Sequence, residues 1–168
     1  LKNKILSYYK SISSYHETVD IEYKSQLHND SFSNLLSKNL EKDRILCYTS
    51  SGIHRDDVNF SINNSSMKKT GSQGQQKSFV LALKFAEFEL LKSMINFKPL
   101  FLIDDLFDKL DKNRVASIIS FLSTNDFGQI FITDTDLERI KLIIKTMNVD
   151  YKYFLIKSNS INEKNISE

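Results

Sequence analysis

The feature that most restricts how this chain can fold is a run of four apolar residues, Leu100-Phe101-Leu102-Ile103, set between Pro99 and a pair of carboxylates, Asp104 and Asp105. Such a run is too short for a helix and shows no polar alternation, so it reads as a strand buried on both faces of a parallel sheet. Ile130-Phe131-Ile132 repeats the pattern, and Tyr151 to Ile156 supplies a third strand. Helical periodicity surrounds these strands. Phe79, Leu83, Ala86, Leu90 and Met94 line one face of a long helix over about Gln75 to Ile95. Asp111 can cap a helix with Val115, Ile118, Ile119 and Leu122 inward, and Asp136 one through Leu137, Ile140 and Ile144. Strand, helix, strand, helix, strand at this spacing implies crossover connections and an α/β fold with a mostly parallel sheet. In such sheets ligands bind beyond the carboxyl ends of the strands, where Asp104-Asp105 and Thr133-Asp134 stand.

The first 50 residues are more polar and mixed. Val19, Ile21 and Tyr23 alternate as a half-buried strand, and Asn29-Asp30-Ser31 offers caps for a helix carrying Phe32, Leu35, Leu36 and Leu40. Val58, Phe60 and Ile62 alternate again before an Asn63-Asn64 turn. The expected organisation is a mixed α/β arm segment over residues 1–50, an α/β lobe over 51–157 and a flexible tail over 158–168. No apolar run approaches membrane-spanning length, and residues 1–10 carry no signal-peptide pattern. The absence of an initiator Met leaves a partial chain open. The single cysteine, Cys47, excludes an internal disulfide and a multi-cysteine zinc site, and fits a reducing, cytoplasmic setting. A net charge of only +2 means that any nucleic-acid contact needs a local basic patch or a partner.

Two segments carry chemistry. Adjacent strand residues point to opposite sides, so Asp104 and Asp105 would have different tasks: one holding Mg²⁺, the other orienting an attacking water. The pair alone is equally read as a strand ending in a polar turn. Gly71-Ser72-Gln73-Gly74-Gln75-Gln76-Lys77-Ser78 is a glycine loop entering a helix, which presents backbone N–H groups and the positive helix end to an anion. The loop alone reads more readily as a capped helix start with a flexible lead-in.

The order of these features, however, resembles the C-terminal lobe of an ABC-type ATPase, and in detail the RecF family. SQGQQKS resembles the family's signature motif, LFLIDD its Walker B strand, and Phe107-Asp108-Lys109-Leu110-Asp111 its D-loop. Gly52-Ile53-His54-Arg55-Asp56-Asp57 resembles the glycine–proline–histidine–arginine–aspartate–aspartate stretch that precedes the signature, with Ile53 in the proline position. Phe131-Ile132-Thr133-Asp134-Thr135 resembles the strand end where many ABC proteins carry a switch histidine, with Thr133 at that position. The resemblance runs from about Val19 to the last strand. No G-x-x-x-x-G-K-[ST] occurs in the chain; in the family that phosphate loop lies in an N-terminal lobe. Without the strands of that lobe, a hydrophobic face or sheet edge is expected to be exposed.

The resemblance implies a dimer that sandwiches ATP and Mg²⁺ between a phosphate loop of one subunit and the signature of the other. Ser72, Gln73, Gly74, Gln75 and Lys77 would serve ATP across the dimer, Asp104 the metal, Asp105 the water, and Asp108 and Asp111 the dimer interface. Slow turnover is expected, with the chain inactive by itself. The implied role is ATP-dependent binding of single- or double-stranded DNA in recombination and repair, with RecR-like and RecO-like partners and no membrane. His54 and Arg55 either contact phosphate or tie the chain locally, Arg55 through Asp56 or Asp57. Lys68 and Lys69 either touch DNA or are simply solvated. Two rival readings stand beside this one: a divalent-metal nuclease built from Asp56, Asp57, Asp104, Asp105 and Asp134, and a non-catalytic dimerisation or docking lobe.

Overall fold

The computed structural model describes residues 1–13, 17–124, 126–136, 138, 140–141, 145, 150–157 and 160–164. The chain forms two compact units, one from residues 17–72 and one from residues 3–16 together with 73–168. This division differs from the break expected at residue 50. The reason is strand pairing: β1 (Val19–Lys24) hydrogen-bonds antiparallel to β2 (Asp57–Ile62), with Val19 opposite Ile62 and Lys24 opposite Asp57. Residues 51–72 therefore belong with the preceding segment.

In the smaller unit the chain turns from β2 into the short β3 (Ser65–Ser66) through Asn63 and Asn64, both left-handed at φ 46° and 64°. Two successive positive φ values define the tight hairpin turn that asparagine tolerates best among residues with a side chain. Ser31 starts α2 (Phe32–Leu46), its hydroxyl accepting the Asn34 N–H at 3.2 Å. α3 (Met67–Thr70) closes the unit, with Met67 buried.

The larger unit is built around α4 (Gln73–Ile95), which buries Phe79, Leu81, Ala82, Phe85, Ala86 and Phe88. β4 (Phe101–Ile103) pairs parallel with β5 (Ile130–Ile132), Leu102 opposite Phe131, and α5 (Lys112–Thr124) is the crossover between them. Phe85 stacks on Phe121 of α5 at 4.5 Å and lies 5.5 Å from Phe101 of β4, and Phe127 joins the same cluster. Each such ring withdrawn from water contributes about 1.5–3 kcal/mol. α1 (Lys2–Ile12), not foreseen from the sequence, buries Ile5, Tyr9 and Ile12 at helical spacing; Tyr8 lies edge-on to Phe121 at 5.0 Å, and its hydroxyl donates to Glu89.

Two further expectations change. The strand expected over 151–156 does not extend the parallel sheet: β6 (Tyr153–Lys157) pairs antiparallel with β7 (Ser160–Lys164), inside the segment expected to be a tail. A two-residue connection suits antiparallel pairing, whereas a parallel partner needs a long crossover. And β4 is covered on one face only: Phe101 and Ile103 are buried, but Leu102 is 73% exposed beside the half-exposed Phe131. The expected exposed hydrophobic face is thus the side of the sheet opposite Phe101 and Ile103. Of the helix expected after Asp136, Leu137 and Ile144 lie outside the described residues; the Ile140 N–H donates to the Asp136 carbonyl at 3.1 Å. Among the described residues no helix is long and apolar enough to cross a membrane.

Candidate functional site

The parallel ladder carries β4 and β5 out at the same edge, and the residues that follow them are joined there. The Thr133 N–H donates to the Ile103 carbonyl at 3.0 Å, continuing the ladder one residue past the strand. The Asp105 N–H donates to Thr133 Oγ1 at 3.0 Å, and that hydroxyl in turn donates to Asp104 Oδ1. Asp105 has φ 49°, in the left-handed region that a non-glycine residue occupies only when its surroundings hold it there. Lys77 of α4 donates from Nζ to the Asp105 carbonyl, so its amine is engaged within the chain. Asp104 and Asp105 are both exposed at the edge.

The segment from Phe107 to Asp111 turns back toward the start of α4. Lys109 is left-handed at φ 59°, and a Cβ on Gly74 would come within 2.9 Å of the Lys109 carbonyl oxygen. Glycine at 74 is therefore what allows this close approach. Asp111 Oδ1 caps α5, accepting the N–H groups of Asn113 at 3.0 Å and Arg114 at 2.9 Å. Arg114 then reaches in two directions, from Nε to Asp111 Oδ2 at 3.0 Å and from Nη1 to Ser78 Oγ at 3.0 Å. Ser78, fully buried, donates to the Gly74 carbonyl at 2.7 Å. The Arg114 backbone N–H and guanidinium hold the Asp111 carboxyl below its usual range. The sequence motifs assign no role to Arg114 and no separate one to Ser78. Their signal was available: position 114 lies three residues after the cap, so its side chain shares a face with Asp111. Asp108 is half-buried and pairs with its neighbour Lys109 at 3.5 Å.

Gln73, Gly74, Gln75 and Lys77 thus share one unit with Asp104, Asp105, Asp108, Asp111 and Thr133, whereas Ser72 falls on the other side of the division. The exposed Ser72 follows Gly71, whose N–H donates to Met67 O at 3.0 Å.

The segment from Gly52 to Asp57 lies wholly in the smaller unit. Gly52, at φ 131°, is packed against the His54 ring, with a hypothetical Cβ 3.2 Å from it. His54 Nε2 lies 3.0 Å from the Thr49 carbonyl, to which Arg55 also donates at 3.3 Å while covering the Tyr48 ring at 4.9 Å. Tyr23 donates to Asp56, holding that carboxyl below its ordinary value, and Asp57 Oδ1 accepts the Val58 N–H at 2.8 Å. These contacts are local ties; Arg55 is tied to Thr49 and Tyr48 rather than to the carboxylates expected. Lys68 and Lys69 are exposed on α3.

The donor set at the sheet edge is all oxygen, which suits Mg²⁺: that ion is characteristically held by one or two carboxylates together with substrate phosphates. A self-sufficient metal centre finds less support. Asp134 spends Oδ2 on the Phe107 N–H at 3.2 Å and Oδ1 on the Asp136 N–H at 2.8 Å. Asp56 and Asp57 belong to the other unit, and among the described residues no group of three or more His, Cys, Asp or Glu is arranged to hold a metal ion.

No family model matches the chain. Curated relatives do. The chain is 48% identical over 147 residues to the DNA replication and repair protein RecF of Flavobacterium johnsoniae, covering 88% of this chain and 41% of that protein. It is 47% identical over 156 residues to the protein of the same name from Azobacteroides pseudotrichonymphae, covering 93% and 43%. Among solved structures it resembles the recombination mediator protein RecF with ATP, of the RecFOR pathway, at a TM-score of 0.68 and 26% identity over 98% of this chain and 43% of that one. The chain spans about two fifths of the length of the curated relatives it matches.

Proposed function

Because this chain belongs to the RecF family, matching the C-terminal portion of its members, we propose that it supplies one side of a composite ATP site in a DNA repair protein. The observation that carries the proposal is the joined edge: the helix start at Gln73–Lys77, the Asp104–Asp105 turn and the Asp108–Asp111 loop meet within a single unit through Lys77, Gly74 and Arg114. In this reading Ser72, Gln73, Gly74 and Gln75 present hydroxyl, amide and backbone N–H groups to the terminal phosphate of a nucleotide held by a second subunit. Asp104 holds Mg²⁺, and the bound cation supplies charge neutralisation at the phosphates. Asp105 orients the attacking water and accepts its proton. Asp108 and Asp111 lie at the dimer interface, where ATP favours the closed pair and hydrolysis releases it.

Leu102, Leu100 and Val80, exposed by 73%, 60% and 55%, support the same reading. A parallel sheet is ordinarily covered on both faces, so this one is suited to further protein. ATP-dependent DNA binding as a dimer, cooperation with RecR-like and RecO-like partners, and a cytoplasmic place of work are proposed on the family ground alone.

The test is ATP hydrolysis with Mg²⁺, measured on this chain alone and mixed with the N-terminal portion of the Flavobacterium johnsoniae protein. The expected result is no turnover alone and turnover in the mixture, abolished by Asp105→Asn and by Ser72→Arg. Cleavage of a phosphate substrate by the chain unaided would favour a metal phosphohydrolase instead.

A further inference from the structure

Resting on the composite-site reading, we infer that Thr133 is a positioning residue whose single hydroxyl sets Asp104 and Asp105 together. Its own backbone is fixed twice at the end of the ladder: the N–H donates to Ile103 O at 3.0 Å, and the carbonyl accepts the Leu106 N–H at 3.4 Å. The hydroxyl therefore projects from an anchored point. It has one proton and two lone pairs. The proton goes to Asp104 Oδ1, and a lone pair faces the Asp105 N–H at 3.0 Å. One atom thus orients the carboxylate proposed for Mg²⁺ and holds the backbone of the residue proposed for water, which sits at φ 49°.

Exposure separates this role from a stabilising one. Thr133, Asp104 and Asp105 are all exposed. Water can replace exposed hydrogen bonds at little net loss of stability. What water cannot replace is the fixed direction of both groups, because it is not anchored to β5. The Thr133 bonds consequently matter for geometry, and geometry at a reacting centre is costly to lose: a displacement of about 1 Å costs about 100-fold in rate.

Thr133→Val keeps the shape and removes the hydroxyl; Thr133→Ser keeps the hydroxyl and removes the methyl. In this chain mixed with the N-terminal portion of the Flavobacterium johnsoniae protein, Val is expected to lower kcat for ATP by about 10- to 100-fold, with KM for ATP within about threefold of the parent mixture. It should also raise the Mg²⁺ concentration needed for half-maximal rate. Ser is expected to restore kcat to within about threefold. A second readout is independent of turnover: amide hydrogen exchange at Asp105 should be about tenfold faster in Val than in the parent and in Ser, with unchanged exchange in α4. The inference is overturned by a Val variant with parental kcat and parental Asp105 exchange, or by a Ser variant as impaired as Val. If the parent mixture itself does not hydrolyse ATP, the composite-site reading fails, and the exchange comparison still decides whether the hydroxyl holds the turn.

Discussion

Arg114 gives the most direct test of how this site is held together. Its side chain is only 13% exposed, and it bridges the Asp111 carboxylate and the fully buried Ser78 hydroxyl, each at 3.0 Å. Arg114→Met keeps most of the apolar stem and removes the fork. The bond to Ser78 is charge-assisted and partly buried, a class that contributes about 1.5–3 kcal/mol. The pair with Asp111 contributes at most about 1 kcal/mol, because the Asp111 side chain is 59% exposed and screened by water. Ser78 keeps its own donor bond to Gly74 O in the variant, so no buried proton is orphaned. The expected loss for Arg114→Met is therefore about 2–3 kcal/mol. Ser78→Ala is expected to lose about 1–2 kcal/mol, since Arg114 retains Asp111. Urea unfolding of the parent, both single variants and the double variant isolates the pair, and the double variant should be more stable than the sum of the singles implies by about 1.5–2 kcal/mol. Single-variant effects that add to within about 0.3 kcal/mol would refute the reasoning: α4 and the Asp111 cap would then not be coupled through this bond.

The remaining predictions concern packing, close approach and charge. Phe85→Ala removes the ring that meets Phe101, Phe121 and Phe127, and should destabilise by about 3–5 kcal/mol in thermal or urea unfolding. Gly74→Ala puts a methyl 2.9 Å from the Lys109 carbonyl. The helix gains about 1 kcal/mol from alanine, overpacking costs about 1–3 kcal/mol, and the expected outcome is a small net loss with amide shifts at Asp108–Leu110 in nuclear magnetic resonance spectra. Because Asp111 titrates below its unfolded value, its stabilising contribution is complete above about pH 4 and is lost as pH falls through the depressed folded value. Asp111→Asn should flatten the stability–pH curve in that acid range and leave the slope near neutrality unchanged.

The exposed edge shows where sequence patterns stop being informative. Asp104 and Asp105 draw notice because they follow an apolar run at the strand's carboxyl end, although such a pair fits a polar turn equally well. An apolar residue in a short run, such as Leu102, gives no sign of which face is covered. The tail from 160 to 164 has weak periodicity, so its pairing with β6 could not be distinguished from fraying. Alternation at Val58, Phe60 and Ile62 marks a strand without naming its partner, so only the pairing of β2 with β1 joins residues 51–72 to the preceding segment. Ile5, Tyr9 and Ile12 of α1 have helical spacing, which only their burial makes decisive.

The sequence by itself determined the α/β succession, the cap at Asp111, the choice of caps at Asn29-Asp30-Ser31, the Asn63-Asn64 turn and the five motifs with their order, because local propensity and residue chemistry are written along the chain. Only the tertiary structure decided that one hydroxyl at Thr133 serves two aspartates, that Lys77 holds the Asp105 carbonyl, and that Arg114 joins Asp111 to Ser78. Those contacts link residues from 3 to 36 positions apart. Their existence depends on how β4, β5, α4 and α5 pack, and packing is set by the whole of the buried surface rather than by any segment read alone.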